Sequence, residues 1–259
     1  MMFDIKVALP AANTLLEEIK EIPYVAQAEI VGSVARRHRY VKDIDIVLYL
    51  KKPGKDETKK KEIFSAFYKE FYSKFKDRIK LKSKGVMYIN FIYIDKESKY
   101  KFPVDIWIGY SDLNYEFLKF HYSVGKAIMS YKQIANLIGL SLSRYGLKLQ
   151  STDELTKLTV ADFYLIYNTI TKNRKLKDLL KKFLNNRLRK IMIKKNLFPV
   201  IKYKRKEKLG DKIILTLWFT EQKPDPSLIK TISRSGYKIE YWYDEDKKKN
   251  IIYKIEIIL

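Results

Sequence analysis

Residues 31–50, VGSVARRHRYVKDIDIVLYL, contain the pattern on which the fold prediction depends most. An apolar strand is predicted to end at Gly32-Ser33, a short basic segment follows, and a second apolar strand begins at Asp43. Because side chains alternate on a strand, Asp43 and Asp45 are predicted to share one face while their neighbours enter the core. Two adjacent carboxylates repel, and a divalent cation removes that cost. Oxygen-only ligands favour Mg²⁺ or Mn²⁺.

The segments around this stretch predict an α+β fold. Apolar residues at helical spacing indicate helices after Asn13, which is the expected cap residue, and over 62–78, and Pro23 is predicted to stop the first. The apolar segments 85–94 and 102–110 flank the polar turn DKESKY and predict a hairpin. That hairpin places Asp105 on the sheet as a lone acid, and an unpaired buried carboxylate needs a metal ion or an open face.

The segment GSVARR indicates an anion-binding loop. Gly32, Ser33 and the following backbone N–H groups lie where a short helix is predicted to start, and Arg36 is placed to clamp a phosphate. The Asp-x-Asp spacing alone is weak evidence, because DED at 244–246 has it too, among lysines in a turn where solvation is the better interpretation. The order of strand, Gly-Ser, basic segment, Asp-Ile-Asp strand and later acid strengthens the first pair.

Composition limits the classes of function. The chain has 259 residues with no cysteine and two histidines, which disfavours disulfides, thiolate nucleophiles and cysteine zinc sites. A net charge of +23 favours a polyanionic partner, nucleic acid first. No apolar run reaches membrane-spanning length, and no basic n-region or lipidation signal is evident, so we expect no membrane partner and a cytoplasmic location.

The C-terminal half carries much of this charge. Residues 172–208 include sixteen Lys or Arg against two acids. A helix is predicted from a Ser151 or Thr152 cap, and the last fifty residues predict strand, helix and hairpin. The expected nucleic-acid contacts, with a solvated helix face as the alternative, are Arg174, Lys175, Lys181, Lys182, Arg187, Arg189 and Lys190.

The motifs taken together resemble the nucleotidyltransferase superfamily, with Gly-Ser, then Asp-x-Asp about ten residues later, then a distant third Asp. Over roughly residues 25–160, and most clearly over 102–147, the chain resembles the palm of family X DNA polymerases. The resemblance implies a palm domain at 1–150 with a mixed β-sheet flanked by helices. It also implies a thumb-like region with a small α+β unit at 151–259.

The resemblance also implies roles for particular residues. Asp43, Asp45 and Asp105 would be catalytic and would bind two Mg²⁺ or Mn²⁺ ions, with Asp105 drawing the proton from a primer 3′-hydroxyl. The nucleotide would contact Gly32, Ser33, Arg36 and Tyr122. The implied partners are a nucleoside triphosphate and a DNA primer end, including short gaps in duplex DNA.

Two departures keep alternatives open. The family's sugar-binding turn is here Phe120-His121-Tyr122-Ser123, so ordinary packing is an alternative role for Tyr122. Only 31 residues precede Gly32, fewer than the family's lyase domain and template-gripping fingers require, so lyase activity is not predicted. The alternatives are a template-independent transferase acting on RNA, tRNA or protein, and a nucleic-acid-binding protein with a degenerate site.

Overall fold

The computed structural model describes residues 2–51, 57–150, 153–172, 174, 177, 200–206, 210–221, 238–243 and 251–258. The chain divides into two compact units, one of residues 1–128 and 143–146 and the other of residues 129–142 and 147–259. Within the described segments, no helix is both long and apolar enough to cross a bilayer.

The first unit is built on a mixed five-stranded sheet. Its strands are β2 (Val25–Val31), β4 (Ile44–Leu50), β5 (Ile79–Gly85), β6 (Tyr88–Ile94) and β7 (Lys101–Gly109), in the order β2-β4-β7-β6-β5. The central pair β4 and β7 is parallel, and the other pairs are antiparallel. The short strands β1 (Phe3–Asp4) and β3 (Tyr40–Val41) pair separately. The predicted α+β class and the β6–β7 hairpin are confirmed.

One face of the large sheet, here called the core face, is covered by α1 (Ile5–Lys20) and α3 (Glu57–Phe75). Ile44, Ile46, Phe91 and Val104 are fully buried on this side. The phenylalanines of α3 recur at helical spacing and pack against them. Burial of this alternating set is what fixes the register, because a slip of one residue would exchange the two faces.

The opposite face carries Asp45, Asp105 and Asn90 and is here called the carboxylate face. Helix α4 (Asp112–Ser123) covers one end of it, where Val47 and Tyr49 pack against Tyr115 and Leu118. The end that holds the carboxylates is only partly covered, and Asp45 and Asp105 are half-buried.

Helix α1 starts earlier than the sequence pattern predicted. The predicted cap was Asn13, but the helix begins at Ile5, and the Asp4 side chain accepts the Lys6 backbone N–H at 2.8 Å as its N-cap. Pro10 lies inside the helix on its exposed side, where the carbonyl left without a helical donor can be hydrated.

The second unit contains α5 (Ile128–Leu137), most of the hairpin β8 (Leu140–Ser143) and β9 (Gly146–Leu149), and α6 (Val160–Lys172). The prediction that α6 follows a Ser151 or Thr152 cap was wrong. Instead, Thr159 and Asp162 form a capping box, in which the Asp162 N–H donates to Thr159 Oγ1 at 3.1 Å and the Thr159 N–H donates to Asp162 Oδ2 at 2.8 Å.

A four-stranded antiparallel sheet also belongs to the described part of this unit. Its strands are β10 (Val200–Lys206), β11 (Gly210–Glu221), β12 (Lys238–Tyr243) and β13 (Ile251–Ile258), in the order β10-β11-β13-β12. The predicted hairpin is confirmed as β12 paired with β13. Strands β5 and β10 were not predicted, and the helix predicted between β11 and β12 lies outside the described residues.

Candidate active site

The candidate site lies where β4 and β7 run side by side. In their parallel register Asp45 is the direct partner of Asp105. Asp43 immediately precedes β4 and is half-buried. The three carboxyl groups that the sequence identified are therefore brought to one end of the carboxylate face.

Electrostatics at this end penalises charge on the aspartates. Burial, then the charges of Asp43 and Asp105, raise the pKa of Asp45 from its ordinary 3.8 to about 7, although Arg36 opposes the rise. Burial and then Asp105 also raise the pKa of Asp43. A bound cation would relieve this repulsion. Within the described ranges, however, no three acidic or histidine side chains are arranged closely enough to hold one ion together.

Asn90 was missed by the sequence analysis and is the direct hydrogen-bonding partner of Asp105. It lies opposite Asp105 on the antiparallel strand β6, and its Nδ2 donates to Asp105 Oδ1. The available signal was its position as the single polar side chain in the apolar segment YINFIYI. Strand β6 thus supplies the partner that a lone acid on β7 required.

Gly32 brings the predicted anion-binding loop against Asp45. The short helix α2 (Gly32–Ala35) starts at Gly32 in the left-handed region, with φ +69°. A Cβ added there would lie 2.9 Å from Asp45 Cγ. Only glycine combines this backbone conformation with such a close approach.

Arg36 joins this loop to helix α4. Its Nη1 donates to the Tyr122 carbonyl oxygen at 2.6 Å, at the C-terminal end of α4. Cations are favourable near unpaired helix C-terminal carbonyls, so this contact fixes the guanidinium near the carboxylates. Ser33 is half-buried in the same loop, and its carbonyl accepts the His38 N–H at 3.1 Å.

Tyr122 lies beside the carboxylates within an aromatic cluster. Its ring stacks on Trp107 with 5.5 Å between centroids and 22° between planes. Burial raises the pKa of Tyr122, and the charges of Asp45 and Asp105 add to the rise against the opposing charge of Arg144. Arg144 in turn lies 4.1 Å above the Trp107 ring. Trp107 and Arg144 were not singled out from the sequence.

Most of the residues predicted to contact nucleic acid lie outside the part of the chain that the structure describes. Arg174 is exposed. Lys175, Lys181, Lys182, Arg187, Arg189 and Lys190 lie outside the described residues. These assignments stay predictions.

Comparisons with known proteins identify the fold. No protein-family model matches the sequence, and no curated protein matches it. The structure of Leishmania infantum polymerase beta in a ternary P/T complex is similar with a TM-score of 0.53 at 16% identity, over 65% of this chain and 73% of that one. A ternary gap complex of the same polymerase gives 0.48 at 19% identity, over 57% and 51%. The similarity to the P/T complex shows that the mixed sheet and its flanking helices have a polymerase beta-like fold.

Proposed function

We propose that this protein is a nucleotidyltransferase of the family X polymerase type, which adds nucleotides from dNTPs to the 3′ end of a DNA primer. The observation that carries the proposal is the register of β4 and β7. It places Asp45 directly beside Asp105, with Asp43 next to them and the Gly32 loop in contact with Asp45.

The chemistry of the donor set suits Mg²⁺ or Mn²⁺. All three side chains offer hard carboxylate oxygens, and a cation would relieve the repulsion by Asp43 and Asp105 that contributes to the raised pKa of Asp45. Asp43 and Asp45 would hold both ions, and Asp105 would contribute to one of them. The ions supply charge neutralisation at the transferred phosphoryl group.

The chain's own groups would orient the reactants. Asp105 accepts the proton of the primer 3′-hydroxyl as that oxygen attacks the α-phosphorus and pyrophosphate leaves. Arg36 and the backbone around Gly32 and Ser33 bind the triphosphate, since anions are favoured beside a guanidinium and free N–H groups. Tyr122 contacts the sugar of the incoming nucleotide from the end of α4.

The primer partner is proposed from charge and fold. The excess of 53 Lys and Arg over 30 acidic residues attracts a phosphate backbone without reading base sequence. In the proposed division, residues 1–150 form the palm. Residues 151–259 grip nucleic acid through Arg174, Lys175, Lys181, Lys182, Arg187, Arg189 and Lys190.

The test is extension of a labelled DNA primer with Mg²⁺ or Mn²⁺. The substrate is defined by comparing single-stranded, templated and gapped ends, DNA and RNA primers, and dNTPs with rNTPs. Asp45→Asn and Asp105→Asn are expected to lower incorporation about 1,000-fold, because several kcal/mol of transition-state stabilisation is lost. Glu17→Gln is the matched control, since this exposed carboxylate lies on α1, which covers the face of the sheet opposite the carboxylate face. Wild-type rates in both aspartate variants would overturn the proposal.

A further inference from the structure

Asn90 and Asp105 form a cross-strand pair in the centre of the sheet. The two residues are register partners on β6 and β7, and the Asn90 amide nitrogen donates to a single carboxylate oxygen, Oδ1. A backbone register of this kind fixes the donor relative to the acceptor more firmly than a loop would. Both residues are half-buried, so solvent competes only in part for the hydrogen bond.

Asn90 also belongs to a row of polar groups across the face, which continues to its β5 partner Ser83. Asp45, Asp105 and Asn90 occupy consecutive positions on β4, β7 and β6, because Asp45 pairs with Asp105 and Asp105 pairs with Asn90. Asp105 therefore has a second carboxylate on one side and a neutral donor on the other. An acid in place of Asn90 would add a third negative charge to this row, whereas an apolar residue would leave Oδ1 without its donor.

We propose that Asn90 is a positioning residue that orients the Asp105 carboxylate for cation binding, a role that rests on the proposed function above. By occupying Oδ1 with a hydrogen bond, Asn90 leaves Oδ2 for the ion and prevents the carboxylate from rotating away. Outer partners that hydrogen-bond to ligating carboxylates change metal affinity or activity by about 10–100-fold when they are removed. Asn90 acts through Asp105 and contacts no reactant itself.

The experiment measures Mn²⁺ binding to the full-length protein by electron paramagnetic resonance of the free ion. Asn90→Leu has a similar volume and no donor, and it is expected to weaken Mn²⁺ binding about 10-fold. The matched control is Asn114→Leu, because Asn114 is also half-buried and donates through Nδ2, but to the Tyr145 carbonyl at 2.8 Å. Asn114→Leu is expected to keep the wild-type affinity for Mn²⁺.

Two further readouts separate positioning from folding. Thermal unfolding without metal reports the structural cost of each substitution, and Asn90→Ala repeats the test if Asn90→Leu does not fold. In primer extension at saturating Mn²⁺, Asn90→Leu is expected to lower kcat with the KM for dNTP unchanged, since the interaction serves the reacting centre and not nucleotide binding.

The outcomes distinguish this inference from the function on which it rests. Wild-type Mn²⁺ affinity in Asn90→Leu, with weakened binding in Asp105→Asn, would overturn the role of Asn90 alone. Equal weakening in Asn90→Leu and Asn114→Leu would also overturn it, because the effect would then be general destabilisation. A wild-type protein that binds no Mn²⁺ and extends no primer would overturn the proposed function itself.

Discussion

The core face and the carboxylate face are made from alternate residues of the same strands, but they differ in how their side chains affect stability. On β6, Phe91 is fully buried on one side while its neighbour Asn90 hydrogen-bonds to Asp105 on the other. On β4, Ile46 is fully buried while Asp45 bears the raised pKa. Burial on the core face therefore stabilises the fold, whereas the carboxylate face retains charged groups that oppose folding, as expected for the proposed active site.

The largest expected effect on stability comes from the core face. Phe91→Ala removes a ring that is fully buried and lies 5.5 Å from the Phe71 ring, so it should lower the free energy of unfolding by about 3–5 kcal/mol. Urea titration followed by circular dichroism measures the change. Tyr72→Ala is the control, because this tyrosine on α3 is exposed and should cost far less. Similar decreases in the free energy of unfolding of the two variants would contradict the expectation that Phe91 stabilises the fold more than the exposed Tyr72 does.

The carboxylate face should behave in the opposite way. Asp45→Asn is expected to raise the free energy of unfolding of the metal-free protein at pH 8 by ~2–4 kcal/mol, because it removes a charge that burial and two neighbouring acids disfavour. A carboxyl group whose pKa is raised in the folded state makes its full contribution to stability below about pH 4, which is the pKa of the same group in the unfolded chain. That contribution is lost as pH rises through about 7.

The pH series is therefore the sharper measurement. Wild-type stability should fall between pH 4 and pH 8 more steeply than that of Asp45→Asn, and the two should converge at the acid end. Added Mg²⁺ should restore the free energy of unfolding of the wild type at pH 8 and should change that of Asp45→Asn little. Parallel curves across the whole range would contradict the raised pKa of Asp45.

The candidate site was more predictable than the ends of the helices. Alternation in the Asp-Ile-Asp strand and the lone acid on the hairpin identified Asp45 and Asp105, because a charged residue between buried neighbours has few explanations. Their register was not predictable, since the parallel pairing of β4 with β7 joins segments that are separated by α3, β5 and β6. Asn90 was missed although the β6–β7 hairpin was predicted, because its place opposite Asp105 depends on the exact register of that hairpin.

The errors also have physical causes. The first turns of α1 were missed because the large apolar residues at helical spacing begin only at Leu15. The buried residues before it are Ala8, Ala11 and Ala12, whose small side chains allow close packing of α1. Strand β5 escaped notice because its outward positions are lysines, which are typical of a sheet edge that must not pair further. Capping by Thr159 was overlooked because the hydroxyl groups of Ser151 and Thr152 offered the same chemistry earlier in the chain.

The smallest predicted effect tests the contact between the loop and the carboxylate face. Gly32→Ala should lower the free energy of unfolding by about 1–3 kcal/mol, since an L residue at φ +69° is strained and its methyl group meets the Asp45 carboxyl. Gly85→Ala is the matched control. Its backbone is not left-handed, and the atom nearest to its added Cβ, at 3.0 Å, belongs to the exposed Tyr88 ring, which can move.

Because alanine is also favoured over glycine within a strand, Gly85→Ala should be neutral or slightly stabilising. Gly32→Ala should in addition impair primer extension, because the methyl group displaces Asp45 from its position beside Asp105. Differential scanning calorimetry of both variants measures the loss of stability, and primer extension with Mg²⁺ measures the loss of activity. If Gly32→Ala were as harmless as Gly85→Ala in both assays, the loop would not lie against Asp45, and the carboxylate face would lose its contact with the anion-binding loop.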